Sequence, residues 1–222
     1  MSTPTDHAAA SNAPVQSVWG GAYGTVTIGA VALIFLAAMQ SLAVTTVMPI
    51  VSDELNGAAL YAVAFSGTLA TSVIGMVAAG AWSDRSSPLK PLTAAVVLFV
   101  IGLVIAGMAA TMPTLVIGRL IQGLGVGGQT VSLYVVVARV YPAALHGRVF
   151  AAFSAAWVVP SLIGPFLAGA VTEYLHWRWV FFGIAGLTVV AFVMVYTRLA
   201  GRDLHTDEPA GGGTAARLGL AV

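Results

Sequence analysis

The chain has 222 residues, 59% of them hydrophobic and 8% charged, where a soluble domain carries about a quarter of its residues as Asp, Glu, Lys and Arg. Nine Lys and Arg face eight Asp and Glu, so no basic surface for nucleic acid is expected, and a soluble fold of this length has too little interior for so much apolar surface. With no cysteine, disulfides and thiol catalysis are excluded.

Residues 1–22 are small, polar and Pro-containing, with no Lys or Arg. A secretory leader needs a positive start and a short apolar stretch, so this segment is expected to be a disordered cytoplasmic tail. The first apolar run, Thr25–Val51, is long enough to cross a bilayer. Five more follow at Ala58–Trp82, Leu92–Thr111, Pro113–Val140, Val149–Val171 and Trp179–Leu199. Each approaches or exceeds the ~20 residues with which a helix spans the hydrocarbon, and none alternates as a transmembrane strand must. The expected fold is an all-α integral membrane protein, with six transmembrane helices in one domain over 23–200.

The connections read SDELNG, SDRSSPLKP, a Met-Pro-Thr turn, YPAALHGR and TEYLHWR. Arg85 and Lys90 flank the second, Arg139 and Arg148 the fourth, and Arg198, Arg202 and Arg217 stand at the end of the last run and in the tail. Only Arg178 falls in the other three. This bias expects both termini in the cytoplasm. Trp82, Trp177, Trp179 and Tyr141 stand at run ends, where amphipathic rings favour the interface. Residues 201–222 are polar and Gly-rich like a flexible linker. They close on Leu218-Gly-Leu-Ala-Val222, which suits the start of another apolar run, so a linker toward a missing C-terminal half is expected.

The chain repeats itself. Ser72–Asp84 is SVIGMVAAGAWSD, and 89 residues later Ser161–Glu173 is SLIGPFLAGAVTE, with six of thirteen positions identical. The same offset sets Gln40-Ser41 over Gln129-Thr130. Chance likeness between Gly/Ala-rich helices is one reading. The other is that runs 1–3 correspond to runs 4–6. Three crossings invert the second copy, giving the inverted repeat on which many secondary transporters are built.

With these residues in view, the chain resembles the N-terminal six-helix half of a major facilitator superfamily transporter, most closely the bacterial drug:proton antiporters. Three signatures carry the resemblance. The first is the loop signature Gly80-Ala-Trp-Ser-Asp84-Arg85-Ser-Ser-Pro-Leu-Lys90, with Ser87 where the family has Gly. The resemblance implies a conformational lock here, in which the carboxylate faces a helix N-terminus of the other half. The second is Arg119-Leu-Ile-Gln122-Gly-Leu-Gly125. Arg119 is the only charge well inside any run, and a charge at that depth is a functional hypothesis by default. At about 100° per residue, Arg119, Gln122, Gln129 and Thr130 share one polar arc of the helix. The resemblance implies a part in proton coupling; an Arg that snorkels to the external interface is the plain alternative. The third is the antiporter signature of helix 5, Pro160-Ser-Leu-Ile-Gly164-Pro165-Phe-Leu-Ala168-Gly169. Its Gly164-Pro165 core is kept, while Pro160 and Ala168 replace glycines.

Exporters of this kind often carry an Asp where this chain has Gln40, and no run holds an acid at depth. The proton carrier is therefore expected either in the missing half or at Asp53 or Glu54. The stretch GLGVGGQ at 123–129 looks like a phosphate loop but lies inside an apolar run, and Gly123 and Gly127 suit close helix packing instead. All four His lie in tails or connections, leaving the membrane hydroxyls no base, so an enzyme is not expected. Neither cofactor nor metal is expected.

The expected function is secondary active, proton-coupled efflux of small hydrophobic or amphipathic compounds by alternating access, in the cell (inner) membrane. The expected cavity residues are Arg119, Gln122, Gln129, Thr130, Gln40 and Trp157, facing the missing half. A non-transporting six-helix protein or truncated half, or an importer of a small metabolite, is the alternative.

Overall fold

The computed structural model describes residues 18–20 and 23–200. The rest of the expected N-terminal tail, and the expected linker over 201–222, lie outside the described residues. Six long helices follow one another: α1 (Gly24–Glu54), α2 (Tyr61–Ser83), α3 (Leu89–Gly107), α4 (Met112–Val140), α5 (Ala143–Tyr174) and α6 (Arg178–Leu199), with one 3-10 turn at Ala58–Leu60 before α2. All six are long and apolar enough to cross a membrane, and the chain is a multi-pass membrane protein.

Two boundaries depart from the expected ones. Met112-Pro113-Thr114 is no turn but the first turn of α4, capped by an extended Thr111 (φ −138, ψ 152). A proline there gives up an N–H that a first turn leaves unpaired anyway. Accordingly α3 ends at Gly107, short of Thr111. Most of YPAALHGR is likewise helical: Pro142, at ψ 145, redirects the chain and α5 begins at once with Ala143. The end of α1 is closed by Asn56 at φ 49. There Gly57 N donates to Ser52 O at 2.8 Å and Asn56 N to Asp53 O at 3.3 Å, the paired bonds of a Schellman closure.

The packing obeys the internal repeat. Helix α4 lies against α2 and α3, α1 lies against α5 and α6, and α3 meets α6. Exchanging helices 1, 2, 3 for 4, 5, 6 converts the first set of neighbours into the second and leaves the third unchanged. The fold is thus two inverted three-helix repeats. One contact also keeps the residue offset. A Cβ on Gly128 would lie 3.6 Å from Gly75 O, and a Cβ on Gly164 would lie 3.3 Å from Met39 Sδ; adding 89 to 39 and 75 gives 128 and 164.

The glycines of 123–129 serve this packing and no phosphate. Added Cβ atoms on Gly123 and Gly127 would run into the α2 backbone at Thr68 and Ser72, and one on Gly125 into α3 at Phe99. With no side chain between them, the backbones reach van der Waals contact, which is how helices associate where lipid removes the hydrophobic drive.

Not every ring at a run end faces the interface. Trp82 and Trp179 are exposed, but Trp177 and Tyr141 are buried. Each has a polar partner inside: Trp177 Nε1 donates to Glu54 Oε2 at 2.6 Å, and the Tyr141 hydroxyl is 2.8 Å from Thr27 Oγ1. A buried ring with a satisfied polar tip gains nothing from the interface.

Candidate functional site

Arg119 sits in the third turn of α4 and is only 4% exposed, so it does not snorkel. Its Nη1 donates to Gln122 Oε1, one turn on, at 3.1 Å, while its Nε has no partner among the described residues. It forms the wall of a cavity of about 210 Å³ between α1, α2, α4 and α5. The same wall holds Gln122 and Thr130 from α4 and Trp157 from α5. Four of the six expected cavity residues therefore come together.

Gln40 and Gln129 do not line it; both are fully buried. Gln129 Nε2 donates to Leu33 O of α1 at 2.9 Å, and neither amide atom of Gln40 has a partner among the described residues. Gln129 falls at the far edge of the α4 polar arc, some 80° from Arg119 at about 100° per residue, and there it turns into the neighbouring helix. The residues that follow each Gln, Ser41 and Thr130, face the cavity instead. The repeat found the right pairs, and helical rotation selects the second member of each.

Thr68, Ser72 and Met76 of α2 also line the wall. Their spacing of four places them on one stripe, a signal present in the sequence but hidden among many membrane hydroxyls. Thr68 Oγ1 donates to Ala64 O at 2.7 Å, Ser72 Oγ to Leu69 O at 2.7 Å and Thr130 Oγ1 to Val126 O at 2.8 Å. Their donors are spent on their own helices.

The other two signatures lie elsewhere. Asp84 caps the end of α2, with its N bonded to Gly80 O at 3.1 Å. Asp84, Arg85 and Lys90 are exposed, and a Cβ on Gly80 would meet only Val131, at 3.8 Å. The loop is held from α4: Arg139 Nη2 donates to Ser83 O at 2.6 Å and Nη1 to Ser86 O at 3.1 Å. Arg139 counted only toward orientation in the sequence, although an Arg in a last helical turn is well placed to take up end carbonyls. The α5 helix continues through Pro160 and Pro165. Gly164 is buried against Met39 and Leu42 of α1, Gly169 has open space around its Cα, and Pro165 is exposed.

At the opposite end of α1, Glu54 gathers a cluster that the sequence did not reveal. Besides the Trp177 bond, Arg178 Nη2 lies 3.8 Å from Glu54 Oε1 and His176 Nε2 lies 3.7 Å from Oε2. Arg178 also stands over the Trp177 ring at 4.7 Å and donates from Nη1 to Gly107 O at 3.2 Å. One carboxylate thereby ties the ends of α1 and α3 to the start of α6.

Comparison with known proteins follows the same lines. The family model described as Major Facilitator Superfamily matches residues 30–220. An uncharacterised MFS-type transporter of Mycobacterium tuberculosis is 34% identical over 163 residues, covering 71% of this chain and 24% of the relative. The multidrug efflux pump SdrM of Staphylococcus aureus is 26% identical over 169 residues, covering 76% of this chain and 38% of the pump. The chain thus spans well under half the length of these curated relatives. Among solved structures, a D-xylose-proton symporter superposes with a TM-score of 0.61 at 20% identity, over 78% of this chain and 46% of the symporter. At that identity the likeness is one of fold.

Proposed function

The chain belongs to the major facilitator superfamily, whose members among these relatives are transporters and not enzymes, and from that premise we propose that it is the N-terminal half of a proton-coupled exporter of small hydrophobic or amphipathic compounds. The observation that carries this reading is Arg119, a guanidinium 4% exposed in the wall of a membrane-depth cavity. A charge so placed costs at least ~2.5 kcal/mol on insertion scales. Packing alone gives no reason to keep it.

Substrate sits against Arg119, Gln122, Thr130 and Trp157, between this half and the other. The halves rock about that site, with both termini in the cytoplasm of an inner-membrane protein. The Asp84 loop, clamped by Arg139, forms the lock on the cytoplasmic side, and Gly80, Arg85 and Lys90 belong to it. Gly164 lets α5 approach Met39 and Leu42 of α1, and Pro165 and Gly169 belong to the same α5 signature. The described acids Asp53, Glu54, Asp84 and Glu173 all stand at helix ends. The coupling carboxylate then lies in the other half or at Asp53 or Glu54. The efflux reading draws support from the name of the staphylococcal relative.

The test uses the full-length protein in proteoliposomes with an imposed pH gradient. Efflux of a panel of amphipathic dyes should require the gradient, collapse with a protonophore, and vanish in Arg119→Ala at equal reconstitution. Gradient-independent dye movement, or full activity of Arg119→Ala, would defeat the proposal.

A further inference from the structure

We infer, on the transport reading above and as a specification of its substrate class, that the Arg119 cavity receives the acidic group of an amphipathic organic acid. Its preferred ligand is a carboxylate and not an amphipathic cation.

The charge balance at depth carries this. Among the described residues, Arg119 is the one charged side chain in the cavity wall, and every carboxylate lies at a helix end. Its one hydrogen-bond partner among the described residues, Gln122 Oε1, is neutral. Its Nε is buried with no acceptor among them. The hydroxyls of Thr68, Ser72 and Thr130 already donate to their own helices, so beside the neutral Ser41 hydroxyl and Gln122 amide the guanidinium is the charged donor left for a ligand.

A carboxylate would bring two acceptor oxygens to a planar fork built for two parallel bonds. It would also neutralise a charge that burial leaves unpaired. The apolar part of the ligand would lie on Leu69, Met76 and the half-exposed Trp157 ring. A cationic ligand would meet the opposite: a second positive charge at the same depth, both stripped of water, with no acid of this half to separate them.

The experiment compares three probes of nearly equal shape on the full-length protein in proteoliposomes: 1-naphthaleneacetate, its neutral amide, and 1-naphthalenemethylammonium. Binding is measured by equilibrium titration at neutral pH for the natural protein, Arg119→Gln and Arg119→Lys. The acid should bind at least about tenfold tighter than the ammonium. Arg119→Gln should lose at least that factor for the acid while keeping amide binding within about threefold, which shows that the cavity is intact. Arg119→Lys should recover part of the loss.

Equal or tighter binding of the ammonium overturns the inference while leaving transport standing. So does acid binding no tighter than the amide, as when a carboxylate of the other half already pairs with Arg119. Binding of none of the three overturns the inference, and dye efflux in the same vesicles then shows whether the transport reading falls with it.

Discussion

Trp177 brings a buried polar group to satisfaction from a distant helix, and the bond supports a test. Trp177 is 1% exposed and gives its Nε1 proton to Glu54 across 123 residues of sequence. Trp177→Phe keeps an aromatic ring beside Phe181, which Trp177 meets edge-on at 5.9 Å, and removes the donor together with part of the ring that Arg178 covers. A bond to a charged group is worth about 1.5–3 kcal/mol, and the 41% exposure of the Glu54 side chain places this one at the low end. The thermal unfolding midpoint in detergent should fall by a few degrees, and Glu54→Gln should fall less, because an amide oxygen still accepts. No change in either variant would show that the tie holds nothing. Arg119 was legible in the sequence because it is the one charge well inside an apolar run. The Glu54 cluster was not, since a carboxylate in one connection and His-Trp-Arg in another look like ordinary helix ends until three helices bring them together.

Among the elements, α4 is the one on which the rest depend. It meets α2 through Gly123 and Gly127 and α3 through Gly125, backbone against backbone. Gly127→Leu has no space on the Ser72 side and must push α2 away, a cost of typically 1–3 kcal/mol or more. Since Ser72 and Thr68 line the Arg119 cavity, the same change should lower both folded yield and activity. Gly147→Leu, where an added Cβ meets nothing within 4 Å, is the control. Normal yield and activity of Gly127→Leu would contradict the packing. Arg139→Ala should free the Asp84 loop by removing two bonds to carbonyls. Faster proteolysis at 84–88 with little loss of folded protein is the expected readout. The six helices were readable from run length alone. The start of α5 was misplaced because Pro142 looks like a break in sequence and acts as the cap from which the helix begins.

For the whole molecule, the 89-residue repeat foretold the exchange of neighbours between the two triplets, since inverted copies of one packing unit must bury corresponding faces. It could not tell which of two adjacent polar residues faces the cavity, because one step along a helix turns the side chain by about 100°. Thus Ser41 and Thr130 reach the cavity while Gln40 and Gln129 do not. The central claim is that this cavity lies on an alternating path across the membrane. Its most direct measurement is the accessibility of Ser72→Cys, on the cavity wall, in an otherwise cysteine-free full-length protein. An impermeant thiol reagent is applied to right-side-out and to inside-out vesicles, with and without transported substrate. The account predicts labelling from both sides without substrate and protection when substrate is bound, with Ser132→Cys, fully buried away from the cavity, labelled from neither. Labelling from one side only, unchanged by substrate or by the pH gradient, would contradict it.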